Sequence, residues 1–578
     1  MFRKALLPIP LAAALLALAA CGSDDNSSTT ASAPSGPAAA VSAQDALPTA
    51  TPIKHLVVIF GENRSFDNYF ATYPQASNPA GEPMFTAAAN TPTVNNLSNN
   101  NLIATNPNQT NASNLAITPA IPSTELVPFR FDRAQANTAD QSHSYSPEQK
   151  ATDNGLMDAF PAFTGSGTSG GAGAFGTKAQ VLGFFDGNTV TAMWNYAQHF
   201  AMSQNAYTDT YGPSTPGAIA VVSGQNNGAV PVVGNASTVA DGAGGLSLTG
   251  DTDPANDTCS SKTSTVQMTS KNIGDLLNAK GITWGGFMGG FNLTTVNVNG
   301  TTGCSRSTFS SVLGSNVTDY TPHHMWFQYY TSTANPTHAR PSSTAAIGST
   351  LEADGKTVDP ANHNYDTDDF FAAVSAGNFP SVSYLKAPAI GDAHPGNSDP
   401  LDEQAFVTKV VNFLMQQPDW KSTAVVITYD DSDGWYDHRY QPPLTSSFSA
   451  SDSVNGTSTC NVAGTSKPAV GVSGQTVNGR CGPGTRIPFI VISPYAKANF
   501  VDDTQINQSS VVKFIEDNWL GGQRIGQGSN DATDGSIMSM FDFTQNVTTP
   551  RTLFLDGNSG TPTAAPTAAS AAATTASM

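Results

Sequence analysis

Two short segments, far apart in the sequence, carry the residue types of a cation site. The first is Gly61-Glu62-Asn63-Arg64-Ser65-Phe66-Asp67, and the second runs from Asp430-Asp431 through Ser432, Asp433 and Gly434 to Asp437-His438. Glu62, Asn63, Asp430 and Asp431 together offer three carboxylates and one amide oxygen, a hard-oxygen set suited to one divalent cation. Asn and Asp also make turns and caps, and either segment alone would be read that way; the two together favour the cation. A third segment, Thr210-Tyr211-Gly212-Pro213-Ser214-Thr215-Pro216-Gly217, reads as a tight turn with a helix beginning just beyond it. Ser214 or Thr215 then stands at a helix N-terminus, where backbone amides favour an anion and where an ordinary N-cap also belongs. Of only nine histidines, His143, His323, His324, His394 and His438 sit in polar or acidic loops, where imidazole can donate to an anion or protonate a leaving group. His55 and His199 read as structural.

These side chains need a frame. Residues 53–60 and 424–429 are nearly continuous apolar runs, the pattern of strands buried on both faces, and both acidic segments follow such a run directly. Residues 488–493 form a third run and 382–385 a weaker fourth. Helical patterns lie at 190–202, 273–280, 403–417 and 509–520. Strands alternating with helices of this length predict an α/β domain with a central, mostly parallel sheet flanked by helices, and ligands of such sheets sit beyond the strand carboxyl ends. Polar stretches near 85–125, 225–270 and 440–480 read as long surface insertions. Gly165-Ser166-Gly167-Thr168-Ser169-Gly170 fits a dinucleotide glycine pattern, but it follows no strand and opens no helix.

The formal net charge of −19 argues against nucleic acid as a partner. It also means that a phosphate site here must bring its own positive charge, most simply a metal ion. Arg3 and Lys4 followed by apolar residues 6–20 form an export signal, and Leu18-Ala19-Ala20-Cys21 resembles a bacterial lipobox. Cys21 is therefore expected to carry a lipid anchor that tethers the chain to a membrane of the cell envelope; plain secretion is the alternative. Residues 21–50 and 557–578 lack the apolar content for a core and are expected to be disordered, leaving one domain at 51–556. Cys259, Cys304, Cys460 and Cys481 are an even set in an exported chain. Nearest-neighbour pairing closes the shortest loops and is the expected connectivity.

Four blocks together resemble the bacterial phosphoesterase family of secreted acid phosphatases and phospholipases C: residues 53–70, residues 428–438, Arg486-Ile487-Pro488-Phe489-Ile490-Val491-Ile492-Ser493-Pro494, and residues 509–516. The resemblance implies an alkaline-phosphatase-like α/β fold, a metal held by Glu62, Asn63, Asp430 and Asp431, and Ser214 as nucleophile. It also implies active-site roles for His143, His323, His324 and His394, and for His438 either such a role or one supporting the site from behind. The substrate would be a small phosphorylated compound or a phospholipid head group. Ser214 in the turn and Asp430-Asp431 in the metal motif resemble the acid phosphatases more than the phospholipases C, which remain the alternative. A non-catalytic surface lipoprotein is a further one, disfavoured because none of the expected ligands is lost.

Overall fold

The computed structural model describes residues 44–565. The expected export signal, Cys21 and most of both expected disordered ends lie outside the described residues.

Eight strands form the central sheet: β1 (His55–Gly61), β2 (Ala201–Ser203), β3 (Trp284–Met288), β4 (Asn364–Tyr365), β5 (Val382–Lys386), β6 (Thr423–Tyr429), β7 (Phe489–Ile492) and β8 (Phe500–Asp502). Their spatial order is β4-β3-β5-β1-β6-β7-β2-β8. Every residue of β1 and β6 is buried. Successive side chains of a strand point to opposite faces, so burial along its whole length requires cover on both sides. The pairs β4/β3, β3/β5, β5/β1, β1/β6 and β2/β8 are parallel, and the expectation of a mostly parallel sheet holds.

The run at 488–493 departs from it, because β7 lies antiparallel to both β6 and β2. A parallel neighbour needs a crossover, usually helical, and between β6 and β7 the chain forms only short strands. It therefore returns in the opposite sense.

Six helices of eight or more residues occur among the described residues: α1 (Thr191–His199), α2 (Ser214–Ser223), α3 (Ile273–Lys280), α4 (Thr367–Ser375), α5 (Pro400–Met415) and α6 (Ser510–Trp519). The pattern at 190–202 stops being helical at Phe200, and the next residues become β2; pairing with β7 overrides the local periodicity. Helix α5 starts where Asp399 accepts hydrogen bonds from the amides of Leu401 and Asp402, with Pro400 as its first residue. That combination of cap and proline satisfies amide donors a helix start leaves open.

Ordered contacts extend past the expected edges of the domain. The amide of Ala50 donates to the carbonyl of Asn518 at 2.9 Å, and the carbonyl of Gly560 accepts from Asn195 Nδ2 at 2.9 Å. Main-chain hydrogen bonds tie these residues down, and a composition-based boundary does not detect them. Disulfides join Cys259 to Cys304 and Cys460 to Cys481, the nearest-neighbour pairing.

Candidate active site

Strands β1 and β6 run in register, with Gly61 paired to Tyr429. Glu62-Asn63 and Asp430-Asp431 therefore leave the sheet side by side at its carboxyl edge, although 367 positions separate Asn63 from Asp430. Gly61 is required at this exit, because a Cβ there would lie 2.6 Å from the Tyr429 ring. Asn63 turns sharply with φ of 61°, a left-handed conformation that Asn tolerates. Its amide donates to Asp430 Oδ1 at 3.0 Å, as does that of Asp431 at 2.8 Å.

Helix α2 brings Ser214 to the same point. Pro216 and Gly217, expected in a turn before the helix, belong to its first turns, and Pro213 is the residue before it. Gly217 allows this approach: a Cβ there would sit 1.9 Å from the carbonyl oxygen of Asp430. Ser214 Oγ lies 3.1 Å from Glu62 Oε2, 3.2 Å from Asp431 Oδ2 and 3.5 Å from Asn63 Oδ1, and is buried with them. One hydroxyl has one proton to donate, so three acceptor groups converging on it exceed what it can satisfy. Burial and the neighbouring Asp430 push the Glu62 carboxyl well above the ordinary range, against the pull of Lys386. Burial likewise pushes Asp431 well up, against His143. Asp430 stays low: burial would raise it, but Lys386, Glu62 and two backbone amides outweigh that. Buried oxygen donors of this number and charge fit a divalent cation.

Strand β5 ends at Lys386, whose buried ammonium pairs closely with Glu62 Oε1 and lies 3.5 Å from Asp430 Oδ2. This lysine was not singled out from the sequence, although it follows directly on the weak run 382–385, at the same carboxyl-end position as the acidic segments after the strong runs.

The histidines divide. His324 Nδ1 is 3.0 Å from Glu62 Oε1. Burial, with His323 and Lys386 adding to it, holds His324 well below the ordinary imidazole range. Its Nε2 is buried without a hydrogen-bond partner. His323 Nδ1 is 3.4 Å from Asp253; burial would lower its pKa, but Asp251 and Asp253 raise it. His143 Nδ1 is 3.0 Å from Asp433 Oδ1, and Asp431 and Asp433 overcome burial to push it well up. The His394 ring stands 6.3 Å from that of His324. Its Nδ1 faces the carbonyl of Pro395 at 2.7 Å, and its amide donates to Asp392 at 3.0 Å.

His438 is not brought to Ser214. Its Nδ1 is 2.5 Å from Asp67 Oδ2 and its Nε2 is 2.9 Å from Asn95 Oδ1, in a buried network with Arg486 and Asp437. Of the two roles the resemblance left open for His438, these contacts favour the supporting one: the chain has by then passed the buried Trp435 and Tyr436. Among residues the sequence did not single out, Asp433 holds His143, and Glu148 accepts from the Gly212 amide and the Ser432 hydroxyl at 2.8 Å each.

Ser214, the oxygens of Glu62, Asn63, Asp430 and Asp431, and His143, His323 and His324 thus gather at the carboxyl edge of a mixed α/β sheet. The profile of the phosphoesterase family matches residues 53–520, and the chain belongs to that family. Among curated relatives, it is 31% identical over 146 residues to the non-hemolytic phospholipase C of Pseudomonas aeruginosa, covering 25% of this chain and 20% of that one. It is 30% identical over 147 residues to phospholipase C A of Mycobacterium tuberculosis, covering 25% and 26%. It is 25% identical over 217 residues to non-specific phospholipase C6 of Arabidopsis thaliana, covering 33% and 35%. The matched stretches thus span about a third or less of those relatives' length. A solved structure from the alkaline phosphatase superfamily, from Vibrio parahaemolyticus, aligns over 60% of this chain and 64% of its own at 13% identity and a TM-score of 0.26.

Proposed function

We propose that the protein hydrolyses phosphate monoesters through a phosphoserine formed at Ser214, in the manner of an acid phosphatase. The observation that carries this reading is the convergence of Glu62, Asn63 and Asp431 oxygens within 3.5 Å of Ser214 Oγ. A divalent cation held by Glu62, Asn63, Asp430 and Asp431 would lower the pKa of the serine hydroxyl and draw charge from the phosphate. The protein's own groups do the rest. Ser214, fixed at the start of α2, attacks phosphorus and displaces the alcohol. His143 and His323, each beside an aspartate, donate to phosphate oxygens, and His394 protonates the leaving oxygen. Water then cleaves the phosphoserine.

The test is to assay a chromogenic phosphomonoester and phosphatidylcholine side by side, with and without a chelator, on the wild type and on Ser214→Ala. Monoester turnover that is lost both in the variant and on chelation is expected. Activity unchanged in Ser214→Ala would refute the nucleophile. The phospholipase C names of the relatives favour a second reading, hydrolysis of phosphatidylcholine-type lipids, which faster release of phosphocholine than of free phosphate would select. Export and acylation at Cys21 belong to the same proposal: Cys21→Ala should move the protein from the membrane fraction to the soluble one.

A further inference from the structure

A cleft of about 580 Å³ opens beside the nucleophile, with His143 and Pro213 in its lining. That volume suits a small molecule rather than a polymer. Its remaining lining is carboxylate, hydroxyl, glutamine, proline, glycine and one tyrosine, with no lysine, no arginine and no aliphatic side chain. Asp140 and Asp251 supply the carboxylates. The Asp140 side chain is 52% exposed. One oxygen of Asp251 is committed to the amide and hydroxyl of Thr215, at 3.0 and 2.9 Å, and among the described residues none donates a hydrogen bond to its other oxygen. Such a surface has defined preferences. Covering its hydroxyls and carboxylates with hydrocarbon strips them of water without replacing the hydrogen bonds. An anionic group meets two carboxylates and no basic side chain except the histidine.

We infer that this cleft seats the leaving alcohol, and that it selects a hydroxyl-rich, non-anionic alcohol such as a sugar over an acyl-chain alcohol or one carrying a carboxylate. The inference rests on the monoesterase reading above and gives it a substrate class. The hydroxyls of Thr249 and Ser451 supply partners that both donate and accept, and that of Ser237, which donates to the Asp251 carbonyl at 3.1 Å, still accepts; a sugar can match these around its ring and a hydrocarbon cannot.

The experiment uses the full-length enzyme with its metal and compares kcat/KM for glucose 6-phosphate, octyl phosphate and 3-phosphoglycerate, with 4-nitrophenyl phosphate as reference. Glucose 6-phosphate should exceed both others at least about ten-fold, the discrimination a few unmatched polar groups provide. Ser451→Leu should shift the glucose-to-octyl ratio towards octyl phosphate. If that variant does not fold, Asp140→Asn, at an exposed carboxylate, must raise 3-phosphoglycerate relative to glucose 6-phosphate. No turnover of 4-nitrophenyl phosphate by the wild type would refute the monoesterase reading itself. Turnover of it, with octyl phosphate equal to glucose 6-phosphate or with ratios unmoved in the variants, would overturn the cleft assignment alone.

Discussion

Glu148 Oε2 accepts the backbone amide of Gly212 at 2.8 Å, while its Oε1 accepts the hydroxyl of Ser432 at the same distance. One buried carboxylate thereby ties the loop before Ser214 to the loop that carries Asp430 and Asp431. Glu148→Gln keeps the shape but turns an amino group towards one of these two donors, leaving a buried donor unmatched at a cost of about 1–3 kcal/mol. Small misplacement of a nucleophile is expensive, up to about a hundred-fold in rate for a shift near 1 Å. A fall in kcat of about ten- to a hundred-fold, with KM nearly constant, is expected from steady-state kinetics. A variant with wild-type kcat would show that the two loops hold their places without this link.

Gly217→Ala tests the approach of α2 to the Asp430-Asp431 loop. The added methyl would meet the Asp430 carbonyl, with the Gln508 amide nitrogen also only 2.8 Å away, and that amide already donates to the same carbonyl. The helix must move or the loop must give, and overpacking of this kind costs about 1–3 kcal/mol. Chemical denaturation should register that loss, and metal content after dialysis should fall with it. Unaltered stability and metal retention would contradict the close packing.

The pH dependence of stability carries the mark of Glu403. It lies fully buried and accepts the hydroxyls of Tyr69 at 2.7 Å and Tyr429 at 2.5 Å, and burial lifts its pKa from an ordinary 4.5 to about 7. A carboxyl raised in the folded state stabilises the fold fully below pH 4.5, and that stabilisation is lost as pH rises through about 7. A shift of this size corresponds to about 3 kcal/mol. His363, lowered by burial to about 4, acts in the opposite sense between pH 6.5 and 4, so the contribution must be read as a difference. The stability gap between wild type and Glu403→Gln should favour the wild type more at pH 4.5 than at pH 8. A gap independent of pH would show that Glu403 does not titrate in this window.

Much of this arrangement was legible because it follows from strand chemistry. The runs ending at Phe60 and Tyr429 are apolar throughout, which only strands covered on both faces sustain, and the in-register exit of β1 and β6 then brings their acidic successors together. Ser214 was legible through the prolines and glycines around it, although Pro216 and Gly217 serve the helix and not a preceding turn. What stayed hidden depends on orientation. Lys386 stands one residue beyond the weaker fourth run, 382–385, where a lysine ordinarily reaches water, and only the packed structure shows it buried. Glu148 sits on a short helix, Tyr145–Ala151, where a carboxylate ordinarily faces water, and only the packed structure shows it buried. The direction of β7 was hidden because strand patterning is the same for either sense.

His438 gives the sharpest separation between sequence neighbourhood and role. It ends the acidic segment that begins at Asp430-Asp431, yet its ring lies between Asp67 and Asn95, and Asp67 in turn meets the buried guanidinium of Arg486 at 3.3 Å. Arg486 also spans both oxygens of Asp437 at 3.1 Å. Two buried carboxylates thus depend on one arginine and this imidazole, and the His438 and Arg486 contacts hold Asp67 below its ordinary pKa although burial alone would raise it. Removing one partner from such a network leaves charge uncompensated. His438→Gln should therefore lower stability by about 1–3 kcal/mol and leave kcat for a phosphomonoester near that of the wild type. His394→Ala, next to His324, should lower kcat by about a hundred-fold or more, as loss of a proton donor does. Equal losses of kcat in the two variants, measured below their melting transitions, would return His438 to the catalytic set.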